Sequence, residues 1–327
     1  MEPISTRSTT QLVPRLERGA PLSSSLRYSY SSMRMGLSSR AREIFHLARI
    51  SVESPKPGVA STLRAVAVAE HRVAEATGVR IENLKVLEIG PGQRLRHLRC
   101  FALKNEVVGI DTDVIPQGRP SDYARMLYAS PPIRSAKTLT RKILWQDARF
   151  KAELATALGV PGFPRISVHQ MSATNMEFRD ATFGGVFSWS VFEHIDDPAA
   201  SIEEVKRVLR PGGVAYISLH LYTSHSGQHD AKICAEGRPV PPLWPHLRPE
   251  HQHTVRPSAF LNRLRLHEWH ALFERIMPGT HFVHERQDHE MGDGLEKLRR
   301  AGEVSQYTDE ELMTVNLVAI WKKPEAT

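Results

Sequence analysis

Cysteine is scarce. Cys100 and Cys234 are the two in 327 residues, and neither sits in a CxxC pair. That excludes a disulfide framework and the usual cysteine motifs for zinc or redox work, and leads to the expectation of a reducing, cytoplasmic setting. No apolar run approaches the about 20 residues that a membrane-spanning helix needs, so no membrane span is expected. Aromatic residues make up 7% of the chain, and no arginine-rich stripe interleaved with aromatics marks a nucleic-acid surface. The formal charge of +7 bears on solubility and encounter more than on identity. Nucleic acid is therefore not expected as a partner. Acids are nearly missing from residues 1–42, where Glu2 and Glu17 stand alone among Ser and Arg. Such a composition reads as a solvated extension, with organelle targeting as the alternative.

A hydrophobic content of 41% with 24% charged residues is ordinary for a globular protein, and the length gives room for a sizeable core. The expected organisation is an N-terminal extension over 1–57 and one domain over 58–327. An insertion at 114–164 and a lid at 221–257 interrupt that domain. Thr62, Val66, Ala69, Val73 and Ala76 recur at helical steps after Ser61, a potential cap. Leu84–Ile89 then reads as a strand ended by Gly90-Pro91-Gly92, and Leu95, Leu98, Phe101 and Ala102 resume helical spacing.

Further strands are expected at Val107–Asp111, Ile166–Gln170, Gly185–Ser190 and Val214–Leu219. A helix over Pro198–Leu209 and a Pro211-Gly212-Gly213 turn precede the last of these. Strands alternating with helices imply parallel crossovers, hence an α/β fold. A helix over Ser258–Ile276 and a terminal hairpin of His281–Arg286 with Thr314–Trp321 complete the reading.

Glu88 stands at the end of the first strand, and Gly90 and Gly92 follow it where a β-carbon would keep the backbone away from a ligand. Asp111, 21 residues after Gly90, ends the second strand, where a carboxylate accepts hydrogen bonds from both ribose hydroxyls of an adenosine. Leu95 occupies the place of the third glycine of a dinucleotide fingerprint. The close helix approach that accommodates pyrophosphate is thus not encoded, which argues against NAD.

Five segments in register carry a resemblance: Val86–Gln93, Gly109-Ile110-Asp111, Met171-Ser172-Ala173, Ser190–Ile195 and Leu209–Gly213. In that order they resemble the successive motifs of class I S-adenosylmethionine-dependent methyltransferases, in particular the small-molecule group typified by ubiquinone-biosynthesis methyltransferases. The resemblance spans about residues 58–220, the insertion at 114–164 excepted. It implies a Rossmann-like, seven-stranded, mostly parallel sheet with helices on both faces and an antiparallel last strand. It also implies S-adenosyl-L-methionine as cofactor, with Glu88, Gly90 and Gly92 at the methionine portion and Asp111 and Thr112 at the ribose. Ser172 and Ala173 would lie beside the adenine, and Ser190 at the tip of the fourth strand completes the set. Ser172 replaces the acid that commonly stands in the family at this point.

On the acceptor side, His194 is the expected base for a hydroxyl or ammonium of a small molecule. The alternative is that Glu193-His194-Ile195 shapes the loop and caps the next helix. Glu193 and His194 also resemble the metal site of RNA-terminal methyltransferases, with His220 or His225 as further ligands, but Ser190 stands where the first acid belongs. No metal is assigned. His225 and His229 have zinc-like spacing only on a helix, and Gly227 between them argues for a loop. The lid, with six prolines and five histidines, offers Tyr222 and Trp244 to the acceptor. His284-Glu285 with His289 has the wrong spacing for a zincin and reads as edge decoration, while Trp145, Trp189 and Trp269 read as packing residues. A silent cofactor-binding partner and a metal-assisted RNA methyltransferase are the alternative functions.

Overall fold

The computed structural model describes residues 54–129, 132–143, 145–230 and 241–325. The expected extension lies almost wholly outside them. Helix α1 (Lys56–Thr77) begins five residues before Ser61, on Pro55, and ends at Gly78 with φ 73°. Ser61 is therefore inside the helix and caps nothing. Val59, Thr62, Val66, Ala69 and Val73 form its buried stripe, each large apolar side chain contributing about 1.5–3 kcal/mol by leaving water.

The chain then alternates. Strand β1 (Lys85–Ile89), helix α2 (Arg96–Phe101) and strand β2 (Glu106–Asp111) follow one another. Next come helices α3 (Pro120–Ala129), α4 (Pro132–Ile143) and α5 (Gln146–Leu158). Strands β3 (Ser167–Gln170) and β4 (Phe183–Trp189), helix α6 (Pro198–Val208) and strand β5 (Leu209–His220) continue it. Helix α7 (Leu266–Ile276), strand β6 (His281–Arg286), helices α8 (Asp288–Arg300) and α9 (Asp309–Met313) and strand β7 (Thr314–Lys322) close the fold.

The sheet has seven strands in the order β3-β2-β1-β4-β5-β7-β6. The first five are mutually parallel, and β7 runs antiparallel between β5 and β6. Both faces are covered, as a parallel sheet requires. One core packs Leu87, Ile89, Ile110, Ile217 and Leu317 with Trp269 and Phe273 of α7. The other packs Val86, Phe187 and Tyr216 with α1, Phe101 and Phe150.

Four expectations need correction. Pro211-Gly212-Gly213 is not a separate turn but an irregularity within β5: the pairing slips between Phe183–Leu209 and Gly185–Val214, and Gly212 and Gly213 bond across to Lys323. Helix α7 begins at Leu266, not Ser258, because Arg265 and Glu268 form the cap there. The strands β6 and β7 pair, but two helices separate them in sequence, so they are no tight hairpin. Trp145 packs against nothing sizeable; it is 70% exposed with φ 56°. Among the described residues no helix is long and apolar enough to cross a membrane.

Candidate active site

Parallel register puts the two carboxylates on one side of the sheet. Glu88 is level with Gly109, and Asp111 lies two residues beyond Gly109, so strand alternation returns it to the face of Glu88. Both sit at the carboxyl ends of neighbouring strands, where open α/β sheets bind ligands. Glu88 is buried, and His97 of α2 donates Nδ1–H to its Oε1 at 2.9 Å. Its Oε2 is also buried and has no hydrogen-bond partner. A buried carboxylate oxygen left in that state calls for a donor. His97, whose ring also lies tilted against Trp189 with centres 4.0 Å apart, is a residue sequence reasoning missed. Its signal was a polar side chain within the buried arc of α2, beside Leu98 and Phe101.

The turn after β1 is fixed by contact. Gly90 has φ 69°, and a β-carbon there would lie 2.4 Å from Cγ2 of Val191. Gly92 also has positive φ, 63°, with open space where its side chain would be. That bare stretch of backbone faces the carboxyl ends of β1 and β4. Gly90 N–H donates to the Ile110 carbonyl at 2.8 Å, locking the turn to β2.

Asp111 is half-buried and accepts from Asp113 N–H at 2.9 Å. Met171 N–H donates to the Asp111 carbonyl at 3.0 Å, which brings the segment after β3 alongside. There Ser172 Oγ lies 2.8 Å from Thr174 Oγ1, and Ala173 is buried. Thr112 is exposed, and its carbonyl accepts from Gln170 Nε2 at 3.1 Å. Ser190 is exposed and left-handed, φ 52°, a strained conformation for a non-glycine residue. It turns the chain sharply at the tip of β4. The residues expected at the cofactor thus line one edge of the sheet.

The segments expected on the acceptor side follow β4 and β5. Glu193 is 2% exposed, and neither of its oxygens has a hydrogen-bond partner. Burial pushes its carboxyl up to about 8; the amides of Glu193 and His220 pull it back only in part, without reaching bonding geometry. His194 donates Nδ1–H to the Phe260 carbonyl at 2.7 Å, since a carbonyl only accepts. Its Nε2 then carries the lone pair of the neutral ring, 4.0 Å from Glu193 Oε1. Burial lowers the His194 pKa. Asp197, not the Glu193-His194-Ile195 segment, caps α6 by accepting from Ala200 N–H at 3.0 Å.

Two residues beyond sequence reach hold this turn: Phe260, through the carbonyl that accepts from His194, and Asn262. Asn262 N–H donates to the Glu193 carbonyl at 3.0 Å, and its Nδ2 donates to the carbonyls of Phe192 at 2.8 Å and Ile195 at 3.1 Å. The third side chain of the cluster is His229. Gly227 bends the chain back so tightly that a β-carbon there would lie 2.1 Å from the Tyr222 carbonyl. His229 then sits edge-on to His194, ring centres 4.9 Å apart. Ser258 fixes its backbone by two bonds to the His229 carbonyl, 3.0 Å from the amide and 2.8 Å from the hydroxyl. Its Nε2 is buried without a partner. Burial, reinforced by His220, His194 and His246, depresses its pKa to about 3.

Residues 221–230 form turns, as Gly227 implied, and 231–240 lie outside the described residues. Trp244 is fully buried among Met291, Leu295 and Leu298 of α8, so it belongs to a small core beneath the segment. Arg263 lies over the Tyr222 ring at 5.6 Å. His284 is more than edge decoration: its Nδ1 meets Glu310 at 2.7 Å and its Nε2 lies 3.0 Å from His270 Nε2.

A family model described as Methyltransferase domain matches residues 60–276, well over half of the chain. No curated protein matches. Among solved structures the chain is similar to an S-adenosylmethionine dependent methyltransferase from Mesorhizobium loti, at 14% identity and TM-score 0.42 over 78% of this chain and 98% of that one. It is similar to the 1,6-didemethyltoxoflavin-N1-methyltransferase of Burkholderia thailandensis, at 14% and 0.39 over 90% and 93%. It is also similar to the [4+2]-cyclase SpnF, at 16% and 0.41 over 80% and 82%. With the family match spanning the five parallel strands and all five motifs in place along them, the chain belongs to the methyltransferase-domain family, as a class I S-adenosylmethionine-dependent methyltransferase.

Proposed function

We propose that the chain methylates an oxygen or nitrogen of a small molecule, with the cofactor across the ends of β1, β2 and β4 and the acceptor over the Glu193–His194–His229 cluster. S-adenosylmethionine supplies an electrophilic methyl group on a cationic sulfonium. Two features favour the fit: the unpartnered, buried Oε2 of Glu88 and the bare turn at Gly90, which has no room for a β-carbon. Glu88 neutralises the ammonium of the methionine portion, directly or through water. Gly90 and Gly92 let the backbone approach it, and Asp111 with Thr112 takes the ribose. Ser172 and Ala173 border the adenine, with a hydroxyl or backbone group in place of the missing acid. Ser190 turns the chain where donor and acceptor meet.

Methyl transfer needs donor and acceptor held in line, and a well-fixed geometry contributes up to about 7–11 kcal/mol. What remains is the acceptor's proton. It is drawn off at the cluster, where the Nε2 lone pair of His194 faces inward on a ring whose other nitrogen is held by Phe260.

The observation that carries this reading is the pair Glu88 and Asp111 at neighbouring strand ends on one face. Calorimetric titration with S-adenosylhomocysteine and, separately, with NADH tests it. Tight binding of the first and none of the second is expected; the reverse order would overturn it. A protein that binds the cofactor but methylates no member of a small-molecule acceptor library would instead support the silent partner.

A further inference from the structure

We infer that Glu193, His194 and His229 form a binding site for one divalent transition-metal ion of the zinc class, placed beside the methyl acceptor. The inference rests on the acceptor side of the proposed function and gives its cluster a specific chemistry.

A carboxylate oxygen of Glu193 and one ring nitrogen each from His194 and His229 lie within 4.8 Å of one another. In a tetrahedral site with bonds of about 2.0–2.2 Å, ligand atoms stand ~3.3 Å apart, so side-chain rotation of ~1.5 Å or less closes the set. Both Glu193 oxygens and Nε2 of His229 are buried with no hydrogen-bond partner. Among the described residues no Lys or Arg pairs with Glu193, whose nearest basic group is Nε2 of His194. Glu193 and His229 thus bring unsatisfied lone pairs together beside the His194 ring. A buried carboxylate in that position needs a cation or a proton.

The supports around the cluster are those of a metal site. The Phe260 carbonyl holds Nδ1–H of His194, the outer contact that orients a ligating imidazole and leaves Nε2 to coordinate. Asn262 fixes the turn that carries Glu193 and His194, and Ser258 fixes the backbone of His229. His220, by contrast, is engaged: its Nε2 meets Ser226 Oγ at 2.9 Å and Ser224 Oγ at 3.2 Å. The third protein ligand is therefore His229 and not His220.

Two imidazoles and one carboxylate suit zinc and its first-row neighbours, and three protein ligands leave a position open. An acceptor hydroxyl oxygen would take that position, where the ion would lower its pKa; its proton would leave to solvent as the O–CH3 bond forms and the cofactor's S–CH3 bond breaks. In the metal-bound form this replaces the base role that His194 has in the metal-free cluster: its Nε2 is a ligand, and the acceptor class narrows to hydroxyl-bearing small molecules.

The test uses the full chain, freed of metal with a chelator and dialysed. Zn2+ is titrated calorimetrically into the wild type, Glu193→Gln, His229→Ala and, as an exposed-histidine control, His253→Ala. S-adenosylhomocysteine affinity is measured on each sample. One ion per chain is expected in the wild type and the control, with affinity at least tenfold weaker in the two site variants and S-adenosylhomocysteine binding kept in all. Co2+ loaded into the wild type should give the intense visible absorption of a four- or five-coordinate ion, a readout that needs no variant to fold. No uptake, uptake unchanged in both site variants, or the pale spectrum of a six-coordinate aqueous ion would overturn the inference. Loss of S-adenosylhomocysteine binding in the wild type would instead overturn the proposed function.

Discussion

Replacing Glu193 by Gln should change how stability depends on pH in the metal-free protein. Glu193 is 2% exposed, so no solvent screening discounts its environment, and burial raises its pKa from 4.5 to about 8. A folded pKa above the unfolded one means that stability is full below about pH 4.5 and is lost as pH rises towards 8, because the folded chain must either hold the proton or bury a charge. Each pH unit in that window costs about 1.4 kcal/mol. Between pH 5 and pH 8 the wild type should therefore lose about 4 kcal/mol from this group, an upper figure if water enters the site. Gln has no such term.

The histidines act in the opposite sense. His220 at about 4 and His229 at about 3, with His194 also lowered, remain neutral in the fold and destabilise it as pH falls below the unfolded value. Both proteins share that penalty, so it largely cancels in their difference. Urea unfolding followed by circular dichroism, with chelator present, measures it. The advantage of Glu193→Gln should grow by about 2–4 kcal/mol from pH 5 to pH 8. A difference that stays constant across that range would refute the claim that Glu193 lacks a partner.

Gly90→Ala meets two penalties, a left-handed φ of 69° and the overlap with Val191. It should cost about 1–3 kcal/mol in unfolding experiments and weaken S-adenosylhomocysteine binding, and adding Val191→Ala should restore only part of the loss because the backbone strain remains. Asn262→Ala removes the donors to the carbonyls of Phe192 and Ile195. A loss of about 1–3 kcal/mol by denaturant titration is expected, with methyl transfer reduced more than cofactor affinity because the turn carrying His194 is released.

The strand tips were legible in the sequence because short apolar runs bounded by glycine and acid leave little choice of element. Val86–Asp111 reads as strand, turn, helix and strand, and folds that way. The limits of α7 and β5 were less legible. Leu266 begins its helix because Arg265 and Glu268 cap it, and the bend at Gly212 is absorbed by pairing with β7 across the sheet. Neither cause is local in the hydrophobic pattern.

The same division holds at the site. Glu88 and Asp111 are read from spacing along adjacent strands, whereas neither His97 beside Glu88 nor His229 near Glu193 is. His229 comes 36 residues after Glu193, and only the tight bend at Gly227 carries it back. Phe260 acts through a backbone carbonyl, which no residue type announces, and Asn262 through a side-chain amide far along the chain from the turn it holds.

The central claim is that Glu88 and Asp111 grip one adenosyl cofactor. Titration of S-adenosylhomocysteine into folded Asp111→Ala tests it most directly: loss of charge-assisted bonds to the ribose should weaken binding by about 1.5–3 kcal/mol, roughly ten- to 150-fold. Affinity equal to the wild type in a variant with native unfolding behaviour would contradict it.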